Sequence, residues 1–363
     1  MAGSPVILTL DAGGTNFVFS AVKDKEIIVE PVTKPSHAHD SEQCIQQIIS
    51  GFREVSAQIK EAPEGISFAF PGPADYALGI LGDLPNFPAF NGDVPLGPIL
   101  EEAFGIPVFI NNDGDLFALG EATSGYLPYL NGQLTKSGSK KQFKNLIGIT
   151  LGTGVGAGIV INGKLLEGDN TCSAEIHNTL NHLHPEWNCE ENVSTRAIQR
   201  VYASEANLHF DPKLLPLHIY EMALGKREGN QSAAKASFEA FGRALGNTIC
   251  NLVTLIDGIV VLGGGITAGW DLYSPFVLEE INRPYVDHLG GQHARLSFKV
   301  YDLTRKGNFE SFAKGAVKEL SIPGSSRVIT YDNMPRTGIC ISQLGASKAI
   351  MLGAYDYALE RLG

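Results

Sequence analysis

The sequence predicts an α/β chain of two lobes, each built around a β-sheet, and three observations carry that prediction. At 363 residues the chain is past the size at which one hydrophobic core keeps growing, so two lobes are the first expectation. The stretch "TLDAGGT" at residues 9–15 returns as "TLGTGVG" at 150–156, each time between two strand-like apolar runs. That recurrence fits a duplicated fold in which each lobe lends one glycine hairpin to a shared cleft. Short apolar runs also alternate with segments of helical period, the β-α-β punctuation of an α/β lobe.

Each element follows from its local pattern. Pro5 to Lys23 reads as two strands joined by Asp11 to Asn16, and "EIIVEPVTK" supplies a third, which suggests a β-meander. Behind it Ile45, Ile48, Ile49, Phe52, Val55 and Ile59 recur at helical spacing, with Ser41 as the expected cap. "GISFAFPG" and "IPVFINND" read as buried strands, with a helix, "PLGPILEEAFG", between them. The basic, turn-rich segment 136–145 reads as an exposed excursion before the second glycine hairpin. Helices fill 194–256, and "GIVVLGGGITAG" reads as strand, glycine turn and helix start. The last helix, in "GASKAIMLGAYDYALERL", is expected to cross back to the first lobe. Segment 321–338 reads as an inserted loop or hairpin. The expected division is residues 1–118 with a C-terminal helix at about 345–363 for the small lobe, and 119–344 for the large lobe.

Composition narrows the class of function. With 44% hydrophobic and 18% charged residues the chain has an ordinary globular composition. No apolar run is long enough to cross a bilayer, and the start lacks a basic region followed by a cleavage site, so the expectation is a cytoplasmic protein. The five scattered cysteines fit free thiols in a reducing compartment. A net charge of -11 disfavours a nucleic-acid partner, because phosphate backbones are held by clustered Lys and Arg.

The glycine stretches carry the chemistry. Glycine lets backbone N–H groups approach a phosphate closely, so Gly13, Gly14, Thr15 and Asn16 are suited to cradle one. A carboxylate beside a phosphate repels it unless a divalent cation lies between, which makes Asp11 a candidate residue for Mg²⁺, directly or through water. The alternative is a β-turn that Asp11 caps with its own side chain. The P-loop pattern is absent, and no G-x-G-x-x-G opens a helix; "GTGVGAG" lies between two strands instead.

Taken in order, "LDAGGTNFVFSAV", "FPGPAD", "LPNFPAFNGDVPLGPILEEAFGIPVFINNDGDLFALGE", "TLGTGVGAGIVINGKLLEG", "AEI", "VLGGGI" and "LGASKAIMLGA" resemble the ROK sugar kinases of the actin, hexokinase and Hsp70 superfamily. The resemblance covers most of the chain. It implies an actin-like ATPase fold related to ribonuclease H, with ATP and Mg²⁺ as cofactors and a homodimeric assembly. By that resemblance Asp113 is the base that accepts the proton of a sugar hydroxyl as it attacks the γ-phosphate of ATP, consistent with the need of phosphoryl transfer for one positioned carboxylate. The alternative for Asp113 is the N-cap of the helix that follows. The family pattern puts Gly72, Asn86, Asn112, Glu175 and Glu191 around the sugar. It puts Gly152, Thr153 and Gly154 at the β- and γ-phosphates, and Gly264 and Gly265 beside the adenosine.

The chain also departs from the family. Most members carry a His followed by a C-x-C-G-x-x-G-C-x-E run that binds structural zinc; here only Cys189 remains and Asn178 stands where that His would be. The family zinc site is therefore expected to be absent, since structural zinc takes four Cys or His ligands. A substitute site from His177, His182, His184 and Cys189 is the alternative. The resemblance implies an ATP-dependent hexose kinase with glucose as the leading sugar; because the family His also touches the sugar, His177 or Asn178 at this place keeps fructose, N-acetylglucosamine and N-acetylmannosamine as alternatives. A sugar-responsive regulator is the rival class, disfavoured because the phosphate hairpin begins by residue 8; a sugar-binding protein without catalysis is the third, disfavoured by Asp113 and the intact glycine turns.

Overall fold

The computed structural model describes residues 3–13, 15–72, 74–82, 84 and 88–363. The chain divides into two compact units: Met1–Gly125, Gly158–Ala174 and Leu344–Gly363 form the first, Tyr126–Ala157 and Glu175–Gln343 the second. The first break thus falls at 125 where the sequence suggested 118, and residues 158–174 join the first unit.

The first unit opens with the antiparallel hairpin β1 (Ile7–Ala12) and β2 (Asn16–Lys23), in register from Ile7 opposite Val22 to Ala12 opposite Phe17. The expected third strand is two short ones, β3 (Glu26–Ile27) and β4 (Val32–Pro35), which pair antiparallel with opposite ends of β2. In the gap between them Glu30 gives its N–H to the Gln58 side chain at 3.1 Å and Pro31 has none to give, so neither donates to a ladder. Helix α1 (Ser41–Ser56) buries Cys44, Ile48, Ile49, Phe52 and Val55. Its cap is Asp40, one residue before the expected Ser41, because the Asp40 carboxylate accepts the Gln43 N–H at 3.0 Å. Strand β5 (Gly65–Ala69) lies parallel to β1, and β8 (Val108–Asn111) parallel to β5. Between these two strands come the small hairpin β6 (Ala74–Asp75) and β7 (Ile80–Leu81) and helix α2 (Leu96–Phe104). Phe19, Phe52 and Phe68 pack ring against ring at the centre of this core, with centroids 5.1 and 5.9 Å apart along the chain of contacts.

After β8 the chain enters α3 (Asp113–Thr123) and then α4 (Tyr126–Lys136), the first element of the second unit. The loop up to residue 145 is mostly exposed. The second sheet runs from β10 (Val155–Ile161) to β9 (Leu146–Leu151), then β12 (Ile259–Gly263), β18 (Arg336–Ile341) and β15 (Lys299–Asp302), and the last four strands are mutually parallel. From Gly158 onward β10 belongs to the first unit, where it pairs with β11 (Lys164–Leu165).

Helices α5 (Thr195–Glu205), α6 (Pro216–Ala223), α7 (Gln231–Ile256) and α8 (Trp270–Asn282) make up the bulk of the second unit, around buried Phe238, Phe241, Trp270 and Tyr273. The hairpin β13 (Tyr285–Val286) and β14 (Gln292–His293) follows, and α9 (Lys306–Lys314) leads to a second hairpin, β16 (Val317–Ser321) and β17 (Val328–Asp332). Segment 321–338 is therefore the returning half of a hairpin and the start of a central strand. Helix α10 (Ala346–Leu362) returns to the first unit, where Tyr355 and Ala358 pack on Ile7 and Val22. Among the described residues no helix is long and apolar enough to cross a membrane.

Candidate active site

In the first unit the sequence places a carboxylate at the end of a strand and a glycine turn after it. Leu8 and Leu10 of β1 are buried, while Asp11 is exposed and leads into the turn. The Gly13 N–H donates to the Asn16 carbonyl at 3.1 Å, and the Ser36 N–H donates to the Thr15 carbonyl at 3.0 Å, so this turn is tied at both ends. Gly14 and Asn86, both expected at the site, lie outside the described residues. Gly72 follows β5, where an added Cβ would stand 3.0 Å from the Tyr76 hydroxyl, itself bonded to the Phe70 carbonyl.

Asp113 sits at the first helical position of α3, where β8 ends. The helix cap is Asn112 rather than Asp113: its Oδ1 accepts the Gly114 N–H at 2.6 Å. Asp113 shares that donor through its own Oδ1 at 2.8 Å, and its Oδ2 has no partner among the described residues. Asp113 itself is exposed while Gly114 to Glu121 behind it are buried, and desolvation by the protein around it pushes its pKa above the usual carboxylate range.

Backbone contact holds α3 in place. A Cβ at Gly158 of β10 would fall 2.4 Å from the Gly114 carbonyl, and one at Gly353 of α10 would fall 1.8 Å from the Leu116 carbonyl. Glycine at these points lets strand and helix backbones touch the helix that carries Asp113. Thr123 at the far end donates to the Asp356 carboxylate at 2.5 Å, which also pairs with Lys25 at 3.3 Å.

In the second unit the turn between β9 and β10 closes through the Gly152 N–H on the Gly154 carbonyl at 3.0 Å. Thr195, at the start of α5, grips the same turn: its N–H and its hydroxyl both donate to the Gly152 carbonyl at 2.9 Å. Thr153 lies in this turn, and Gly152 itself has open space on its Cβ side. At the end of β12 the two expected glycines differ. Gly264, at φ +90°, packs so tightly on β9 that a Cβ would fall 2.3 Å from the Leu151 carbonyl, whereas Gly265 opens to free space. Only the second has room for a ligand beside it.

The chain's family follows from one match: the family model described as "ROK family" covers residues 7–302. The chain belongs to the ROK family. It is 46% identical to the crystal structure of a glucokinase from Parabacteroides distasonis, with a TM-score of 0.89 over 99% of this chain and 98% of that one. It is 26% identical over 343 residues to a glucokinase of Thermotoga maritima, covering 89% of this chain and 96% of the relative. An N-acetyl-D-glucosamine kinase of Vibrio cholerae is 28% identical over 299 residues, covering 77% of this chain and 89% of the relative. The fold is accordingly the actin-like ATPase fold of the ROK structures.

The residues at the ROK zinc segment take separate partners. Glu175 and His177 face each other across 2.9 Å in the turn that ends at the exposed Asn178. His184 lies on Trp187 with ring centroids 4.2 Å apart. His182 lines a separate cavity of about 460 Å³ with Glu205, Arg243 and Glu280. Cys189 is buried with its sulfur 3.1 Å from the Thr248 hydroxyl, and burial pushes its thiol pKa up, away from the thiolate that zinc needs. Among the described residues no group of three or more His, Cys, Asp or Glu is arranged to hold a metal ion.

The short turn Cys189–Glu191 also separates two neighbours that look equivalent in sequence. Glu191, expected at the sugar, pairs with Arg196 at 2.6 Å, while Glu190, which sequence reasoning missed, accepts the Val155 N–H at 3.2 Å beside the glycine turn. Thr195 was missed as well; the Ser-Thr pair before a helical run was the available signal, since Ser194 is the cap of α5.

Proposed function

We propose that this ROK family chain is an ATP-dependent sugar kinase, with glucose as the sugar its relatives support best. The observation that carries the proposal is the setting of Asp113: a carboxylate at a strand-to-helix junction, pinned through Gly158 and Gly353, with one oxygen free and a pKa raised by desolvation. A carboxyl that binds its proton more tightly is, in its ionised form, the stronger general base. In this reading the Oδ2 of Asp113 takes the proton of the sugar hydroxyl as that oxygen attacks the γ-phosphate.

The remaining roles follow from chemistry. The amides of the turns at 13–16 and 152–154 other than those of Gly13 and Gly152, which close the turns themselves, hold the phosphates, and Gly265 leaves room for the adenosine. Asp11, an exposed hard-oxygen donor beside the first turn, fits Mg²⁺ held directly or through water. When bound, that ion would offset the negative charge of the phosphates. Glu175, oriented by His177, and Asn112, whose cap role leaves its amide N–H₂ group available, are assigned to sugar hydroxyls together with Glu191. Asn178 in place of the usual His keeps N-acetylglucosamine as the second reading, which the Vibrio cholerae relative favours.

A coupled assay of ADP release over glucose, fructose, N-acetylglucosamine and N-acetylmannosamine tests the proposal. Glucose should stimulate turnover most, and no stimulation by any sugar would refute a kinase. Asp113→Ala should lower kcat by about 10²–10⁴-fold while calorimetric sugar binding persists.

A further inference from the structure

The segment that would carry zinc in the ROK pattern is held here by side chains of its own. Asn181 is buried, and its amide serves four groups: Nδ2 donates to the Asn188 carbonyl at 3.1 Å, while Oδ1 accepts the Leu183 N–H at 3.0 Å and the His184 N–H and Asn192 Nδ2 at 3.1 Å each. Asn192 in turn accepts Arg200 Nη2 on its Oδ1 at 2.8 Å, and the same Nη2 donates to the Glu191 carbonyl at 2.7 Å. The Arg200 guanidinium also lies over the Trp187 ring, 4.5 Å from its centroid. Trp187 closes the loop through its backbone: its N–H donates to the His184 carbonyl at 2.9 Å, and its carbonyl accepts the Asn181 N–H at 3.3 Å.

The cysteine in this segment is committed elsewhere. The Thr248 hydroxyl donates to the Ala244 carbonyl at 3.1 Å, which leaves the Cys189 S–H as the donor to the Thr248 oxygen, also at 3.1 Å. A sulfur that donates is a thiol, whereas zinc takes the thiolate. The turn Cys189–Glu191 is thus clamped on both sides by ordinary hydrogen bonds, with Asn188 before it held by Asn181 and Asn192 after it held by Asn181 and Arg200.

We propose that Asn181, Trp187 and Arg200 are positioning residues that fix the turn Cys189–Glu191 without a metal ion and so set the affinity for the sugar. This rests on the proposed function, in which a carboxylate of that turn meets sugar hydroxyls. Arg200 stands on α5 and Cys189 is tied to α7, so two helices set the place of the turn. A carboxylate on a turn free to shift by an ångström loses the alignment its hydrogen bonds need. Arginine suits the task because one planar guanidinium serves two oxygen acceptors and an aromatic face together, which a lysine ammonium does not.

Elemental analysis, hydrogen exchange over residues 179–192 and steady-state kinetics on wild type, Arg200→Met, Arg200→Lys, Trp187→Ala and Trp187→Phe test this. Wild type should lack stoichiometric zinc, and a zinc-selective chelator with Mg²⁺ in excess should change neither turnover nor the protection of 179–192. Arg200→Met and Trp187→Ala should raise KM for the sugar about tenfold, the factor that 1.4 kcal/mol represents, with KM for ATP within about twofold of wild type. Trp187→Phe keeps a ring under the cation and should restore the sugar KM, with Arg200→Lys in between. One zinc per chain whose removal exposes the segment overturns the proposal. So do variants that melt lower yet keep the wild-type sugar KM, because that describes a role in stability alone. Should Arg200→Met fail to fold, Trp187→Ala and the metal analysis still decide. If wild type neither binds nor phosphorylates any sugar, the kinase reading fails; if it does both and the variants keep its KM, only these positioning roles fail.

Discussion

Gly353→Ala probes the contact that fixes the proposed base. The new methyl would start 1.8 Å from the Leu116 carbonyl oxygen, 2.7 Å from its carbon and 3.0 Å from the Gly120 nitrogen. All three are backbone atoms, so no side chain can swing aside; α10 and α3 must separate by at least about 1.2 Å before the closest contact reaches 3.0 Å. Overpacking costs about 1–3 kcal/mol, and backbone against backbone belongs at the upper end. At roughly 2–4 °C per kcal/mol for a large domain, the melting temperature should fall by roughly 6–12 °C.

Because Asp113 opens α3, the shift also moves its carboxylate. A misplacement near 1 Å is worth roughly 10² in rate, so kcat should fall by about that factor, with a smaller change in KM. Differential scanning calorimetry and the coupled ADP assay read the two effects. Gly132→Ala in α4 is the control, since its Cβ would meet nothing within 4 Å and the added methyl should stabilise by about 0.4–1 kcal/mol. A Gly353→Ala protein that melts with the wild type and keeps its kcat would refute the claim that this contact positions Asp113.

Other outcomes follow from the structure. The raised pKa of Asp113 means the native state holds more protons than the unfolded one between the ordinary Asp value and the native value. Stability therefore drops as pH rises through that window and the cost is fully present above it, so Asp113→Asn should melt higher than wild type at pH 7 while being inactive; an equal or lower melting temperature counts against it. The same shift moves the acid limb of kcat/KM above the ordinary carboxylate range, which a pH–rate profile on glucose measures. Thr195→Val removes one of the two donors on the Gly152 carbonyl and should cost about 1 kcal/mol, seen as a roughly fivefold higher KM for ATP with the sugar KM unchanged. In the second unit the buried Arg295 side chain pairs with Glu280 at 2.5 Å, and Arg283 pairs with it at 2.9 Å. Burial alone would raise the Glu280 pKa, but these two cations hold it below the usual value, so the stability it confers is present above about pH 4.3 and is lost as pH falls through the lower native value. Arg295→Met should cost about 3–5 kcal/mol in urea melts at pH 7, and Glu280→Gln should lose its deficit against wild type in acid.

Local pattern carried the element types. The helical spacing from Ile45 to Ile59, the buried strands before Gly72 and Asp113, and the glycine turns after β1 and β9 all follow from backbone rules that operate within a few residues. The order of those motifs was enough to assign the ROK family and, with it, the actin-like fold. The boundaries differ where a contact is distant in sequence: residues 158–174 join the first unit, where β10 lies on α3 through Gly158, and the strand expected over 26–34 is interrupted after Ile27, where Glu30 bonds to the Gln58 side chain instead of to β2.

The sequence by itself determined which chemical groups the protein owns and the order in which they come. Tertiary structure decided which of them meet. Glu190 and Glu191 are indistinguishable as letters, but in a tight turn of three residues successive side chains point about 120° apart, so only Glu190 reaches the Val155 amide, while Glu191 makes the closer of the two pairs with Arg196. Gly264 and Gly265 differ in the same way, one pressed against the Leu151 backbone and one open. The raised pKa of Asp113 is likewise a property of the protein mass folded around it, which no spacing along the chain encodes.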